Sequence, residues 1–134
     1  MDCLFCKIIN KEIPSYKIYE DEYTYAFLDI AKDVEGHTLV IPKFEADKEG
    51  DYIFDMDDEM YAGLMMFAKR VAKAIEAAVP CKRVGVAVMG MEVPHVHVHL
   101  IPINAEKDMV ISNPKLKLEA SEMAEIAANI AAKL

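Results

Sequence analysis

Pro94-His95-Val96-His97-Val98-His99-Leu100-Ile101-Pro102 carries three of the chain's four histidines, in strict alternation with apolar side chains. Alternation at period two is a strand signal. Successive side chains of a strand point to opposite faces, so His95, His97 and His99 line one face while Val96, Val98 and Leu100 line the other. At a rise of about 3.3 Å per residue the row of imidazoles is roughly 13 Å long, enough to serve one phosphate-sized group and its neighbours.

Upstream of this strand, Arg83 to Val88 reads as another, joined to Val93–Ile101 through Met89-Gly90-Met91-Glu92. Three more strands are expected in the N-terminal half: Tyr16 to Tyr19, Tyr23 to Asp29, and Gly36 to Pro42, rich in aromatic and β-branched residues. Short polar runs separate them, so the three pair as an antiparallel meander without crossover helices. Residues 3 to 10 suit a short helix or turn closed before Pro14.

From Asp57 to Val79 the period becomes helical. Met60, Leu64, Phe67, Ala68, Val71 and Ile75 recur at spacings of three and four, acidic residues open the segment, and Pro80 stops it. Met60, Met65 and Met66 are expected in the core, as flexible fillers of irregular gaps. A last helix is expected from Glu119 to Lys133, with Met123, Ile126, Ala127 and Ile130 on one stripe. The stretches 44–51 and 104–109 read as polar connections, and Asn113-Pro114 breaks any regular element there. The fold class is therefore α+β, five strands and two long helices, in one domain spanning 1–134.

Composition narrows the partners. With 54% apolar and 28% charged residues the chain has a globular profile, and its net charge of −8 argues against a nucleic-acid polymer as ligand. A small nucleotide stays compatible with it. No apolar run approaches a membrane span, and the N-terminus lacks the basic and apolar regions of a signal peptide, so no membrane partner and a cytoplasmic location are expected. Three cysteines, an odd number, suit a reducing compartment better than a disulfide framework.

Three imidazoles on one strand admit several chemistries. They suit a metal site, since imidazole is a common zinc ligand. They also suit nucleophilic catalysis, in which a neutral imidazole attacks phosphorus and water then hydrolyses the phosphoramidate, while neighbouring imidazolium groups stabilise the phosphoryl oxygens. The bland alternative is a row of histidines facing solvent.

His95-Val96-His97-Val98-His99-Leu100-Ile101 resembles the signature of the histidine triad (HIT) family. Leu4-Phe5-Cys6-Lys7-Ile8-Ile9, Glu12-Ile13-Pro14-Ser15, Ala26-Phe27-Leu28-Asp29-Ile30 and Gly36 through Lys43 are similar to the family's N-terminal half, in the same order. The resemblance implies a HIT-like fold, with a five-stranded antiparallel sheet in each subunit, extended across a homodimer, and a purine nucleotide or nucleotidyl conjugate as ligand.

It implies roles as well. His97 matches the nucleophile, His99 the residue touching the phosphoryl oxygens, and His95 and His37 the remaining histidines of the site. Asp29 matches the carboxylate that binds the ribose hydroxyls, and Phe5, Ile8, Phe27, Ile30 and Leu39 match the apolar base pocket. The expected reaction is hydrolysis or transfer of a nucleoside 5'-phosphoramidate or related conjugate through a nucleotidyl-His97 intermediate, with no cofactor required. A nucleophilic ring nitrogen must be unprotonated, so the other nitrogen of His97 is expected to donate to a fixed acceptor such as a backbone carbonyl.

Two departures bear on this. The family's phosphate loop carries Asn and Gly-Gln before the triad. Here Gly90 still offers a backbone amide and Glu92 stands next to the triad as a candidate substrate contact, but Met91 replaces the Gln and cannot bind an anion strongly. Cys3 and Cys6 have a spacing that suits one zinc ion, and the resemblance extends this to a structural site with His95, where Glu45 stands in place of a second histidine. Reduced thiols without metal are the simpler expectation. Two further functions follow from these departures, a nucleotide-binding regulatory or scaffold dimer with weak catalysis and a zinc-binding protein.

Overall fold

Apolar positions that alternate along the strands gather on one face of an antiparallel sheet. The computed structural model describes residues 3–30, 34–43, 52–91, 93, 95–109 and 116–134. The strands are β1 (Lys17–Glu20), β2 (Thr24–Leu28), β3 (Thr38–Pro42), β4 (Arg83–Ala87) and β5 (Val98–Ile103), in spatial order β1-β2-β3-β5-β4. Every neighbouring pair is antiparallel. The α+β class and the β1-β2-β3 meander agree with the sequence reading; the insertion of β5 between β3 and β4 is new.

Ala26, Leu28, Val40, Val98 and Leu100 point to one side and are buried under two helices, α2 (Asp58–Ala78) and α3 (Ala120–Ala131). From α2 come Leu64, Phe67, Val71 and Ile75, and from α3 Met123, Ile126 and Ile130. Each buried side chain of this size contributes roughly 1.5–3 kcal/mol, which is what fixes the register of the strands beneath. Tyr25, Phe27, Leu39 and Ile41 point to the other side, where a short helix, α1 (Leu4–Ile9), covers them with Phe5 and Ile8.

Both long helices start at stabilising caps. The Asp57 carboxylate accepts from the Met60 amide at 2.8 Å, and Glu119 with Glu122 forms a reciprocal capping box. Their bounds fall within one or two residues of those expected. Met66, expected in the core, is 65% exposed instead. At about 100° per residue it falls two positions past Leu64, on the far side of the helix from the buried stripe. Met60 and Met65 do pack against the core.

β5 also begins later than expected, at Val98, so His95 and His97 precede the strand and only His99 lies in it. The last β3 pair with β5 is Val40 with Val98. Beyond it Pro42 brings no N–H to a ladder, and its carbonyl accepts instead from His95 Nε2 at 2.9 Å. The alternation nevertheless continues past the ladder, since Val96 is buried in the same cluster as Val98 and Leu100. Two single-turn 3₁₀ helices, Ile53–Asp55 and Glu106–Met109, lie in stretches adjoining or within those read as polar connections.

At the open end of the meander Glu20 accepts from three lysines, Lys11 at 2.8 Å, Lys17 at 3.0 Å and Lys43 at 2.6 Å. Hydrogen bonds from Lys11 first, then Lys43 and Lys17, hold its carboxyl down from 4.5 to about 2. A carboxyl depressed on folding contributes stability that is present above its unfolded value and lost as pH falls through its folded one. Glu20→Gln should therefore lower the melting temperature slightly at pH 7. The difference from the parent should close between pH 4.5 and about pH 2 in thermal melts followed by circular dichroism.

Candidate active site

Because the valines and Leu100 are committed to the core, the histidines must face the other side of the sheet, and there they meet α1. The Phe5 ring lies edge-on to both His95 and His97, at centroid distances of 6.0 and 5.0 Å. His97 and His99 are also edge to face, at 5.0 Å. His95, His97, His99 and His37 are all buried. A row of histidines facing solvent is thus overturned.

Each ring has an assigned orientation. His97 Nδ1 is 2.8 Å from the His95 carbonyl oxygen. A carbonyl can only accept, so Nδ1 carries the proton and the neutral ring presents its lone pair at Nε2. This is the fixed backbone acceptor that the sequence reading required. His99 Nδ1 is 2.9 Å from His37 Nε2, and the Asp29 carboxylate stands 3.8 Å from that same His37 nitrogen. The carboxylate favours a proton on His37 Nε2, which then donates to His99 Nδ1 and leaves the His99 proton on Nε2. One imidazole therefore offers a lone pair and its neighbour a donor.

Strand pairing explains how Asp29 and His37 meet. They sit one residue beyond the Leu28–Thr38 pair, at the end of β2 and the start of β3, and the Asp29 amide donates to the His37 carbonyl at 2.9 Å. Leu39 then faces His99 across β3 and β5, and Phe27 faces Leu39 across β2 and β3. Phe5, Ile8, Phe27 and Leu39 form one buried cluster with Cys3, Tyr25 and Ile41, and the Phe5 and Phe27 rings are 5.8 Å apart. Ile30 does not join them; it is 72% exposed, in the turn that follows β2.

His97 also lines a cavity of about 120 Å³, together with Tyr52, Phe54, Tyr61, Met65, Met89 and Gly90. Gly90 thus lines the same cavity as His97, in a left-handed conformation (φ +70°) that favours glycine. Met91 is 90% exposed. Glu92 and Glu45 lie outside the described residues. Sequence reading missed Tyr52 and Phe54; the available signal was two aromatic residues closing an otherwise polar connection.

Cys3 and Cys6 are joined as a disulfide across the first turn of α1, with Cα atoms 5.1 Å apart. The expectation of reduced thiols is not met in this structure, because an N-capping cysteine and one a turn later lie within disulfide reach. Both sulfurs face His95 Nδ1, at 3.4 and 3.5 Å, while His95 Nε2–H donates to Pro42. Burial first of all lowers the His95 pKa below 6.5, with the bond to Pro42 opposing, so the ring is neutral at pH 7. A neutral imidazole with its far nitrogen anchored to a carbonyl is how a metal-ligating histidine is held. The three donor atoms fit a soft divalent ion once the disulfide is reduced, and exclude one while it is intact. Asp29, His37 and His99 are a second set of closely spaced ligand atoms, although there the two imidazoles already hydrogen-bond each other.

Comparison with known proteins places this geometry. The HIT domain family model matches residues 10–106. The chain belongs to the HIT family. This HIT protein is 39% identical over 134 residues to the adenosine 5'-monophosphoramidase HNT1 of Saccharomyces cerevisiae, an alignment covering 98% of the chain and 82% of the relative. It is 35% identical over 137 residues to adenosine 5'-monophosphoramidase hnt1 of Schizosaccharomyces pombe, covering 100% and 99%. Among solved structures, a Hit-like protein of Bartonella henselae superposes with a TM-score of 0.81 at 30% identity, covering 99% of this chain and 96% of that one. A Zn-bound histidine triad family protein of Mycobacterium smegmatis superposes with a TM-score of 0.80 at 28% identity, covering 99% and 95%. No helix among the described residues is long and apolar enough to cross a membrane.

Proposed function

We propose that this HIT-type hydrolase cleaves nucleoside 5'-phosphoramidates, with a purine nucleoside favoured, through a nucleotidyl intermediate on His97. The observation that carries the reading is the 2.8 Å bond from His97 Nδ1 to the His95 carbonyl, which leaves Nε2 as the nucleophilic atom. His97 Nε2 attacks phosphorus as the P–N bond to the amine breaks, the amine taking a proton from solvent; water then attacks phosphorus, the P–Nε2 bond breaks, and the nucleoside monophosphate leaves as the water's proton returns to solvent, which restores the neutral imidazole. His99, relayed to His37 and Asp29, donates from Nε2 to the phosphoryl oxygens as they gain charge. Asp29, 18% exposed at its side chain, takes the ribose hydroxyls, and the cluster around Phe5, Ile8, Phe27 and Leu39 takes the base. The adenosine 5'-monophosphoramidase relatives support this substrate class.

The homodimer belongs to the same reading. β4 is an outer strand of the sheet, and Val86 on it and Met66 on α2, an element that contacts β4, are both exposed. An apolar edge strand of this kind is a template for pairing with a second copy. One domain over 1–134 and a cytoplasmic setting fit the same proposal. The Cys3, Cys6 and His95 set supports a structural zinc in the reduced protein, separate from the chemistry.

Three outcomes test these assignments. With adenosine 5'-phosphoramidate as substrate, wild type should release AMP in the presence of chelator, and His97→Ala should lose at least about a hundredfold in rate and form no nucleotidyl adduct by mass spectrometry. Release undiminished in His97→Ala would remove the nucleophile assignment, and AMP binding without release would favour the scaffold reading. Turnover should be slower than in relatives whose phosphate loop carries Gln. Met91→Gln should raise kcat by about tenfold, since a hydrogen bond to a charged group is worth roughly 1.5–3 kcal/mol. Elemental analysis of protein purified under reducing conditions without added metal should find zinc, and Cys6→Ser should abolish it.

A further inference from the structure

Two aromatic residues of the connection before α2 have no part in the chemistry above. Ile53 is buried in the core and anchors the single 3₁₀ turn Ile53–Asp55, which leaves its neighbours Tyr52 and Phe54 51% and 70% exposed. Their rings meet edge to face at 5.4 Å, and Phe54 lies 6.4 Å from the ring of Tyr61 on α2. Met65, four residues further along α2, shares the helix face of Tyr61. These side chains, with Met89 and Gly90 after β4, surround the cavity of about 120 Å³ that His97 also lines. We propose that this cavity receives the substituent of the amine leaving group, and that Tyr52, Phe54 and Tyr61 select amines carrying one aromatic ring. This rests on the reading of His97 as the nucleophile and of phosphoramidates as the substrates.

The valence of phosphorus singles out the amine. A nucleoside 5'-phosphoramidate carries on phosphorus two unesterified oxygens, the ester oxygen of the nucleoside and the amine nitrogen. In the reading above the oxygens take the His99 donor, while Asp29 and the cluster around Phe5 and Phe27 take the nucleoside. What remains for an apolar cavity that the nucleophile lines is the group on nitrogen. As the Nε2–P bond forms the P–N bond breaks, and the amine departs away from Nε2 with a proton from solvent. Its substituent then meets the walls of the cavity and not the imidazole.

Volume and lining set the class of amine. An apolar cavity of about 150 Å³ accommodates benzene, so one of about 120 Å³ with exposed aromatic residues at its mouth suits a single six-membered ring. A ring there gains edge-to-face or offset contacts with the three aromatic side chains, and sulfur–aromatic contacts with Met65 and Met89. Among the described residues that line the cavity, none is Lys, Arg, Asp or Glu. A substituent bearing a carboxylate would lose hydration there without gaining a cation, and is selected against.

The test compares three substrates on the full chain: adenosine 5'-phosphoramidate and its N-benzyl and N-carboxymethyl derivatives. Their parent amines are of similar basicity, so differences in rate report the cavity and not the leaving ability of nitrogen. The N-benzyl substrate should exceed each of the others in kcat/KM by on the order of tenfold, the scale of an apolar group filling its pocket. The gain should lie mainly in KM, because the contact exists before attack as well as during it. Tyr52→Ala/Phe54→Ala, at two exposed side chains, should bring the N-benzyl to unsubstituted ratio close to one, with thermal melts confirming that the variant is folded. Equal kcat/KM for the three substrates in the parent would overturn the proposal, as would a preference that survives the double substitution. Loss of the preference together with a change from dimer to monomer in sedimentation velocity would also overturn it, assigning the rings to contact between copies of the chain. If no substrate is turned over, the hydrolase reading fails by itself, and calorimetric titration still decides the cavity: N-benzyl binding about tenfold tighter than the unsubstituted compound, and lost in the double variant, sustains it, and equal affinities overturn it.

Discussion

Period-two alternation through Val96, Val98 and Leu100 is the constraint on which the rest of the molecule depends. These three side chains are buried against α2 and α3, and a slip of one residue would exchange them for imidazoles. Burying three histidines in an apolar core without partners would cost several kcal/mol each, so register is secured from both faces. The histidines are then delivered to the side where α1, Asp29 and His37 wait.

On that side each imidazole is oriented by something other than its strand neighbour. His97 is set by a carbonyl two residues back, His99 by His37 just before β3, and His95 by the Pro42 carbonyl. The end of the β3–β5 ladder at Val40 and Val98 makes this available, because a backbone engaged in pairing has no carbonyl to offer a ring. The geometry of the candidate site therefore begins where regular structure stops. The same break puts His95 within reach of the cysteines, which ties the N-terminal helix to His97 through a single residue.

Much of the fold was legible because its signals are local. The α2 stripe, the Asp57 cap and the meander of short strands all follow from residues within a few positions of one another. The expectation failed where two signals overlapped. Met66 shares its residue type with Met60 and Met65 but not their helical phase, and β5 starts at Val98 because Pro42, distant in sequence, ends the ladder. For the site, the chemical pattern of the triad was legible, whereas Ile30 was assigned by position to a pocket from which the turn after β2 keeps it away.

By itself the sequence determined which side chains share a face. It placed Val96, Val98 and Leu100 opposite His97 and His99, since side-chain alternation is a property of short segments. The tertiary structure alone decided that β5 lies between β3 and β4, that His37 Nε2 meets His99 Nδ1, and that the acceptor for His97 is the carbonyl of His95. It alone brought the Cys3–Cys6 pair onto the ring of that same residue, 89 to 92 positions away. Such contacts are set by loop closure and competition for burial across the whole chain, and no local period encodes them.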